Sequence, residues 1–404
     1  MDWHAHNPHV GQVLRQLSPC ASAAAAFGAE LRDRRVRARW SLSELGRQVF
    51  VSGALLGRIE KAERRPHPDL VRQLDEVFDA SGELVRLASA FLEPERGFES
   101  EDLTPDTAEE TLRTLIIDVR CHDHTMAAGQ LQQVAHCIKA VEALAAKASV
   151  AQHAGLWRAV AEAQQLTAWI SFDHGYRRQA ETTLARARSN AEKANALDLV
   201  AYIGGPNSAF IHTWNGDPAR GVELAYGALG WARRSGNRRL IAFVAAMAAR
   251  AHAKLNEASL CREMLSLAET HLDQHQDEAN DPDWLTVFDH TALAGHRGSC
   301  LLDLGNPHDA VEALTEQQST GPATFVRNNL IWQLERSIAD LQTGQVDAAM
   351  SAIERTLTYA AGTPVTPRVL QVFRSTDRAL SVTADESTTA VTRGRLRGFI
   401  AANG

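Results

Sequence analysis

Residues 41–60 read SLSELGRQVFVSGALLGRIE, and this stretch decides the fold of the N-terminal part of the chain. Ser41 and Glu44 have the spacing of a capping box, in which each side chain accepts a hydrogen bond from the backbone amide of the other residue. The capping box predicts a helix that starts directly after Ser41 and ends at about Val49. Ser52 is a second N-cap residue, and it predicts another short helix directly behind it.

The sequence on both sides of these two helices predicts three more short ones. Phe27 opens an amphipathic segment, Pro66 and Pro68 break the chain before a fourth helix, and Gly82 separates the fourth helix from a fifth. The predicted segments are an N-terminal arm over residues 1–26, a five-helix domain over residues 27–92 and an acidic linker over residues 93–110.

Charge is distributed unevenly along the chain. The formal net charge is −7, yet residues 30–65 contain ten basic and five acidic residues, a local balance of +5. Residues 93–110 contain eight acidic residues and one basic residue. A basic module followed by an acidic joint favours DNA binding by the N-terminal domain.

Residues 27–87 resemble the Cro-repressor-like (XRE) helix-turn-helix family. The matching residues are Leu31, Arg32, Arg35, the hexapeptide at 41–46, Val51, Ser52, Leu56, Ile59, Glu60, Pro66 and Pro68. The resemblance implies that the helix over 42–49 crosses the phosphate backbone and that the helix over 53–61 lies in the major groove. It also implies that Glu60 binds an arginine such as Arg35 inside the domain, and that Leu45, Val49, Leu56 and Ile59 form a small core.

Arg58 is the predicted base reader, because a guanidinium can donate two hydrogen bonds to guanine. Arg47 and Lys61 suit phosphate contacts, which position the protein without reading sequence. Gly53 and Gly57 lack side chains at reading positions, which suggests a close backbone approach or recognition of DNA shape. The complete predicted DNA-contact set is Ser41, Arg47, Ser52, Gly53, Ala54, Gly57, Arg58, Lys61, Arg64 and Arg65.

Beyond residue 110 the pattern is helical, with a repeated arrangement of turns and small residues. The predicted turns are Gly175, Gly216, Asn256, Gly305 and Gly344, spaced 41, 40, 49 and 39 residues apart. Small residues stand five positions after each turn, at Ala180, Gly221, Cys261, Ala310 and Ala349, and seven positions before it, at Ala168, Ala209, Ala249, Gly298 and Ser337. Nine positions after each turn the residue is apolar, at Leu184, Ala225, Leu265, Leu314 and Ile353.

This arrangement resembles the tetratricopeptide repeat, although its period is near 40 residues and most of the usual aromatic and proline positions are unfilled. The predicted fold class is all-α: the five-helix helix-turn-helix domain is followed by an α-solenoid of tetratricopeptide-like hairpins over residues 111–381. Residues 382–404 are predicted to be a tail or a capping helix. The alternative is an alanine-rich helical bundle in which small residues match by chance.

If the hairpins stack, their first helices line a concave face. Aromatic, amide and basic side chains on that face would suit a peptide or another small signalling ligand. The predicted ligand-contact set is Gln165, Trp169, Asn207, Phe210, Trp214 and Arg250. The alternative is that the aromatic residues pack between adjacent repeats, as aromatic side chains in paired helices usually do.

Other classes of function have no support in the sequence. No apolar run has the length of a membrane span, and five scattered cysteines without a CxxC pair favour reduced thiols in a cytoplasm. Neither a phosphate-binding GxxxxGK[ST] loop nor a GxSxG nucleophile turn is present. We therefore expect a cytoplasmic protein that is not an enzyme and needs neither cofactor nor metal.

A helix-turn-helix domain followed by such repeats resembles the peptide-responsive RRNPP regulators of Gram-positive bacteria. The resemblance implies a homodimer that binds a palindromic operator in double-stranded DNA and responds to a peptide or small-molecule effector. A second hypothesis is a protein-interaction scaffold, in which the repeats hold a partner protein and the N-terminal domain binds DNA weakly.

Overall fold

The computed structural model describes residues 23–403 except residues 50, 63, 65, 67, 81, 93–103, 123–127, 277–279, 321–325, 362–364 and 384–385. The regular secondary structure of this described part is entirely helical, as the all-α prediction requires. The chain divides into two compact units, Met1–Glu99 with Asp118–Met126, and Ser100–Ile117 with Ala127–Gly404. Among the described helices, none combines the length and apolar character that crossing a bilayer needs.

The first unit contains five short helices, as predicted. They are α1 (Ala23–Arg37), α2 (Leu42–Gln48), α3 (Gly53–Glu60), α4 (Pro68–Val77) and α5 (Glu83–Leu92). The capping box is confirmed, since the Glu44 amide donates to Ser41 Oγ at 3.2 Å and the Ser41 amide donates to the Glu44 carboxylate at 2.6 Å. Ser52 caps α3, accepting the Leu55 amide at 3.2 Å. Local capping chemistry therefore sets where the two central helices begin.

The next three helices are α6 (Pro105–His122), α7 (Ala128–Ala145) and α8 (Val150–Asp173). The second unit contains α6 as far as Ile117, together with α7 and α8. Helix α6 starts inside the segment 93–110 that the sequence predicts as a linker. Thr104 and Thr107 cap this start reciprocally, because each backbone amide donates to the hydroxyl of the other residue, at 3.2 and 3.4 Å. Pro105 follows the cap at the first helical position, where its missing N–H is not needed.

More helical elements follow α8 along the chain, and most of them pair into hairpins. They are α9 (Arg177–Lys193), α10 (Leu197–Tyr202), a π-helical segment (Ile203–Ala209), α11 (Phe210–Trp214), α12 (Pro218–Ser235), α13 (Arg238–Lys254), α14 (Ala258–Asp273), a 3-10 turn (Asp283–Leu285), α15 (His290–Asp303), α16 (Pro307–Thr320) and α17 (Val326–Gln342). The chain then continues through α18 (Val346–Ala360), α19 (Pro367–Thr383) and α20 (Glu386–Asn403).

The five predicted turns each join the two helices of one hairpin. All five have a positive φ, which is +82° at Gly175, +86° at Gly216, +60° at Asn256, +74° at Gly305 and +79° at Gly344. Glycine and asparagine enter this left-handed region most easily, so these residues can end one helix and reverse the chain. The turn prediction is therefore confirmed at all five positions.

Small residues let the paired helices approach closely. The predicted small positions before and after each turn are all buried, and so are the five apolar positions nine residues after the turns. At Gly298 a Cβ atom would overlap the side chain of Leu314, which is the apolar position of the same hairpin. At Gly221 a Cβ atom would lie 3.0 Å from the carbonyl oxygen of Ala209. The repeated positions are thus the places where the helices touch.

Candidate functional sites

Helices α2 and α3 form the helix pair of the predicted helix-turn-helix. Leu45, Val49, Leu56 and Ile59 are each no more than 1% exposed, so the predicted small core between the helices is confirmed. A Cβ atom on Gly53 would lie 3.0 Å from the backbone carbon of Leu42. The glycine that opens α3 therefore serves the close packing of α3 against the start of α2.

Glu60 is held inside the domain, as the family resemblance implies. Its carboxylate accepts hydrogen bonds from Arg35 Nε at 2.5 Å and Arg35 Nη2 at 2.9 Å, and from Arg32 Nε at 3.3 Å. Arg35 Nη1 donates to the carbonyl oxygen of Trp40 at 2.9 Å. Both Glu60 and Arg35 are buried, and the pairing raises the pKa of Arg35. This pair joins α1 to the end of α3 and keeps the carboxylate away from solvent.

Basic side chains on and beside the helix pair are exposed. Arg47 on α2, Arg58 on α3, and Lys61 and Arg64 behind α3 are all exposed, and within the described residues none lies in an ion pair. Ser41 and Ser52 are exposed too, and their hydroxyl oxygens cap the helices. Gly57 is partly buried, and a Cβ atom added to it would lie 3.2 Å from Leu42 Cδ1. Arg65 and the side chain of Ala54 lie outside the described residues.

In the repeat unit, three predicted ligand residues lie in one aromatic cluster. Trp169, Phe172, Phe210 and Trp214 form this cluster, with ring centroids 5.5 Å apart for Trp169 and Phe172, and 5.8 Å apart for Trp169 and Phe210 and for Phe210 and Trp214. The four rings surround the guanidinium of Arg368 on α19, at 5.4 to 5.8 Å from their centroids. The rings of the first two hairpins therefore bind a cation of the same chain.

The Arg368 guanidinium belongs to a buried ion cluster around Asp173. Arg368 Nε lies 2.5 Å from Asp173 Oδ1, and Arg327 Nη1 contacts Asp173 Oδ2. All three side chains are buried. Trp214 Nε1 also donates to Gln371 Oε1 on α19, at 3.3 Å. Asp173 ends α8, so this cluster ties the first hairpin to α17 and α19, a contact between residues that are 195 positions apart.

The other predicted ligand residues are buried and polar. Gln165 is 3% exposed, Asn207 is 2% exposed and Arg250 is 5% exposed. Within the described residues, Asn207 Oδ1 and the Nε and Nη1 atoms of Arg250 have no hydrogen-bond partner. Asn207 lies in the π-helical segment, whose wider turn surrounds Pro206. Such π turns often occur at functional sites, and the spacing of the repeats contains no signal of this one.

His296 on α15 is half-buried, and the charges of both Arg250 and Arg368 act on it. Its ring contacts Trp332 at 5.6 Å, Phe288 at 6.1 Å and Phe243 at 6.2 Å between centroids. Burial, followed by the charges of the two arginines, lowers the pKa of His296 to about 3. The imidazole is therefore neutral in the folded protein near neutral pH.

This lowered pKa predicts acid sensitivity of folding. In the unfolded chain the imidazole takes up a proton below about pH 6.5, so the unfolded state binds more protons at every pH between the two pKa values. The free energy of unfolding is therefore unaffected by His296 above the pKa of the unfolded chain. It falls as the pH is lowered from there towards the pKa of His296 in the folded protein. We expect a loss of about 2 kcal/mol between about pH 7 and about pH 5.

Urea unfolding of the wild type and of His296→Gln at the two pH values measures this loss. In His296→Gln the stability should fall by about 2 kcal/mol less between the two pH values than in wild type. The control is His308→Gln, because His308 is exposed, and it should show the same pH dependence as wild type. Equal pH dependence in wild type and His296→Gln would contradict the assignment.

Comparison with known proteins gives one family match and eleven matching chains of solved structures, among them the two described below. Residues 26–88 match a family model described as "Helix-turn-helix domain". The crystal structure of Bacillus thuringiensis PlcR in complex with the peptide PapR7 and DNA is similar at a TM-score of 0.32 and 12% identity, over 74% of this chain and 94% of that chain. The crystal structure of Rap protein complexed with Competence and Sporulation Factor is similar at a TM-score of 0.46 and 13% identity, over 93% of this chain and 96% of that chain.

No curated protein matches the sequence. The family match covers the part of the chain in which α1 to α5 surround the capped α2–α3 pair. Residues 26–88 are therefore a helix-turn-helix domain.

Proposed function

We propose that the chain is a sequence-specific DNA-binding transcriptional regulator in which α3 enters the major groove. The observation that carries this proposal is the division of charge on the helix pair. Glu60 is neutralised inside the domain, whereas Arg47, Arg58, Lys61 and Arg64 are exposed. Such a surface presents cations to phosphates and one guanidinium on α3 to base edges.

We further propose that the repeat unit dimerises and binds a peptide or another small signalling ligand. Support comes from buried polar atoms at Asn207 and Arg250, which have no hydrogen-bond partner within the described part of the chain. An amide oxygen suits the N–H groups of a peptide, and a guanidinium suits its acidic groups. Gln165 and the rings of Trp169, Phe210 and Trp214 complete the proposed ligand surface.

Selection of bound sequences from random duplex DNA, by the full-length protein, tests the regulator function. A palindromic consensus with half-sites about one helical turn apart is expected, because a symmetric dimer places two copies of α3 in successive major grooves. Sedimentation should show a dimer. A strictly monomeric protein that enriches no sequence would favour the alternative, a scaffold whose repeats hold a partner protein.

Arg58→Ala is expected to weaken binding to the selected site by about 1–3 kcal/mol, since it removes one base contact. Arg47→Ala should instead weaken binding to all sequences alike. The slope of log affinity against log salt concentration should decrease by about one, because one phosphate contact is lost. Titration of labelled duplexes at several salt concentrations separates the two effects.

The control is Arg37→Ala, which removes an exposed arginine that is paired with Asp33 on α1. It should leave both affinity and specificity close to those of the wild type. If Arg58→Ala binds the selected site as tightly as Arg37→Ala does, α3 is not the reading helix.

A further inference from the structure

Arg250 lies in the C-terminal third of α13, a helix of the repeat unit that is buried along almost its whole length. The side chain is 5% exposed, and its Nε and Nη1 atoms have no hydrogen-bond partner among the described residues. A guanidinium remains charged in a protein and carries five N–H donors in a fixed plane. Burial without matching acceptors is costly, so proteins rarely leave an arginine in this state unless something else binds it.

Glu335 and Asp303 are the acidic groups that act on Arg250, and their charges raise its pKa although neither forms an ion pair with it. Asp303 Oδ1 accepts a hydrogen bond from Lys254 Nζ at 2.6 Å, and Glu335 Oε2 accepts one from Ser299 Oγ at 2.5 Å, whereas Asp303 Oδ2 has no hydrogen-bond partner within the described residues. Burial raises the pKa of Glu335, and the charge of Arg250 acts in the opposite direction. Arg368, by contrast, is paired with Asp173. Among the described residues of this region, Arg250 is thus the arginine that lacks a carboxylate within ion-pair distance.

We propose that Arg250 anchors a carboxylate of the effector, so that the repeat unit selects peptides that carry an accessible acidic group. The inference rests on the proposed effector function and narrows its ligand class. A carboxylate presents two acceptor oxygens in one plane, and a guanidinium can donate to both at once. The group could be the C-terminus of a peptide or the side chain of Asp or Glu, and both present the same chemistry to Arg250.

The first test is the thermal stability of the full-length protein without ligand. Arg250→Met keeps an unbranched side chain and removes a charge that forms no ion pair, so we expect unfolding within about 2 °C of the wild-type temperature. The matched control is Arg239→Met on the same helix, because Arg239 is buried and its Nη1 lies 2.8 Å from Asp281. This control should unfold at a lower temperature than wild type. If Arg250→Met is destabilised as much as Arg239→Met, Arg250 is a structural residue and the proposal is overturned.

The second test uses synthetic peptide mixtures as probes. Three mixtures of random heptapeptides are incubated with the protein: one with free C-termini, one with amidated C-termini, and one amidated and free of Asp and Glu. Retained peptides are identified by ultrafiltration and mass spectrometry. Wild type should retain peptides from the first mixture, the second or both, and at least about ten times more than Arg250→Met does. The first two mixtures separate a C-terminal carboxylate from an acidic side chain.

Retention from the third mixture at the same level as from the other two would overturn the carboxylate inference and leave the effector function standing. Equal retention by wild type and Arg250→Met would have the same meaning. If wild type retains no peptide from any mixture, the proposed peptide-binding function fails, and this inference fails with it.

Discussion

Asp173→Ala is expected to destabilise the repeat unit by about 3–5 kcal/mol, which is the usual loss when one partner of a buried ion pair is removed. The wild-type carboxylate contacts both Arg327 and Arg368, and all three side chains are buried. Removing it leaves two guanidinium groups close together without their shared counter-charge. The contacts of Arg368 with four aromatic rings compensate for only part of this loss.

Equilibrium unfolding in urea, followed by far-UV circular dichroism, measures this effect. The matched control is Asp198→Ala, whose carboxylate binds Arg158 through two hydrogen bonds of 2.7 and 2.8 Å but remains 23% exposed. Removing this partly exposed ion pair should lower the free energy of unfolding by about 1 kcal/mol. If the two variants lose the same stability, the Asp173 cluster is no stronger than a surface pair. The triple variant Asp173→Asn, Arg327→Met and Arg368→Met should recover much of the loss, because no unpaired charge of this cluster remains.

The position of this cluster also links stability to the proposed ligand surface. Arg368 fills the space between Trp169, Phe210 and Trp214, which the sequence predicts as ligand contacts. A ligand that uses these rings must therefore share them with Arg368 or displace it. Displacement would weaken the contact between α8 and α19, so ligand binding and the packing of the C-terminal helices are expected to be coupled.

Local signals explain why much of the fold could be predicted from the sequence. Helix starts in the first unit depend on hydrogen bonds between residues three positions apart, as at Ser41 and Glu44. The hairpin turns depend on the backbone freedom of single residues such as Gly216. The start of α6 was harder to predict, because its reciprocal cap pairs two threonines rather than a serine and a glutamate.

Tertiary contacts explain what the sequence could not reveal. The partners of Asp173 are Arg327 and Arg368, and nothing in the spacing of the repeats connects Asp173 with either position. The repeat pattern places Trp169 and Trp214 on the inner face of the hairpins, but it cannot show that a cation from α19 lies between them. Nor can it show that Arg250 lacks a partner among the described residues, because that depends on the engagement of Asp303 and Glu335 with other side chains.

Glu60→Ala is expected to destabilise the helix-turn-helix domain by about 3–5 kcal/mol and to abolish DNA binding, although Glu60 faces the interior of the domain. The variant leaves Arg35 buried beside an empty position, and Arg35 is also the residue that donates to the carbonyl oxygen of Trp40. Hydrogen exchange of the full-length protein, read from peptides that cover α1 to α3, reports the local stability directly.

A double-variant cycle separates the role of the charge pair from that of packing. Arg35→Met alone leaves the Glu60 carboxylate with only the longer contact from Arg32, at 3.3 Å, and should also be strongly destabilising. When both residues are changed to Met, no buried charge of this pair lacks a partner, so the double variant should be more stable than Glu60→Met or Arg35→Met alone. Its α2–α3 pair should then regain DNA binding, because Arg47, Arg58 and Lys61 are unchanged. If the two losses simply add and binding stays absent, Glu60 and Arg35 stabilise the domain independently, and their ion pair is not what holds α1 against α3.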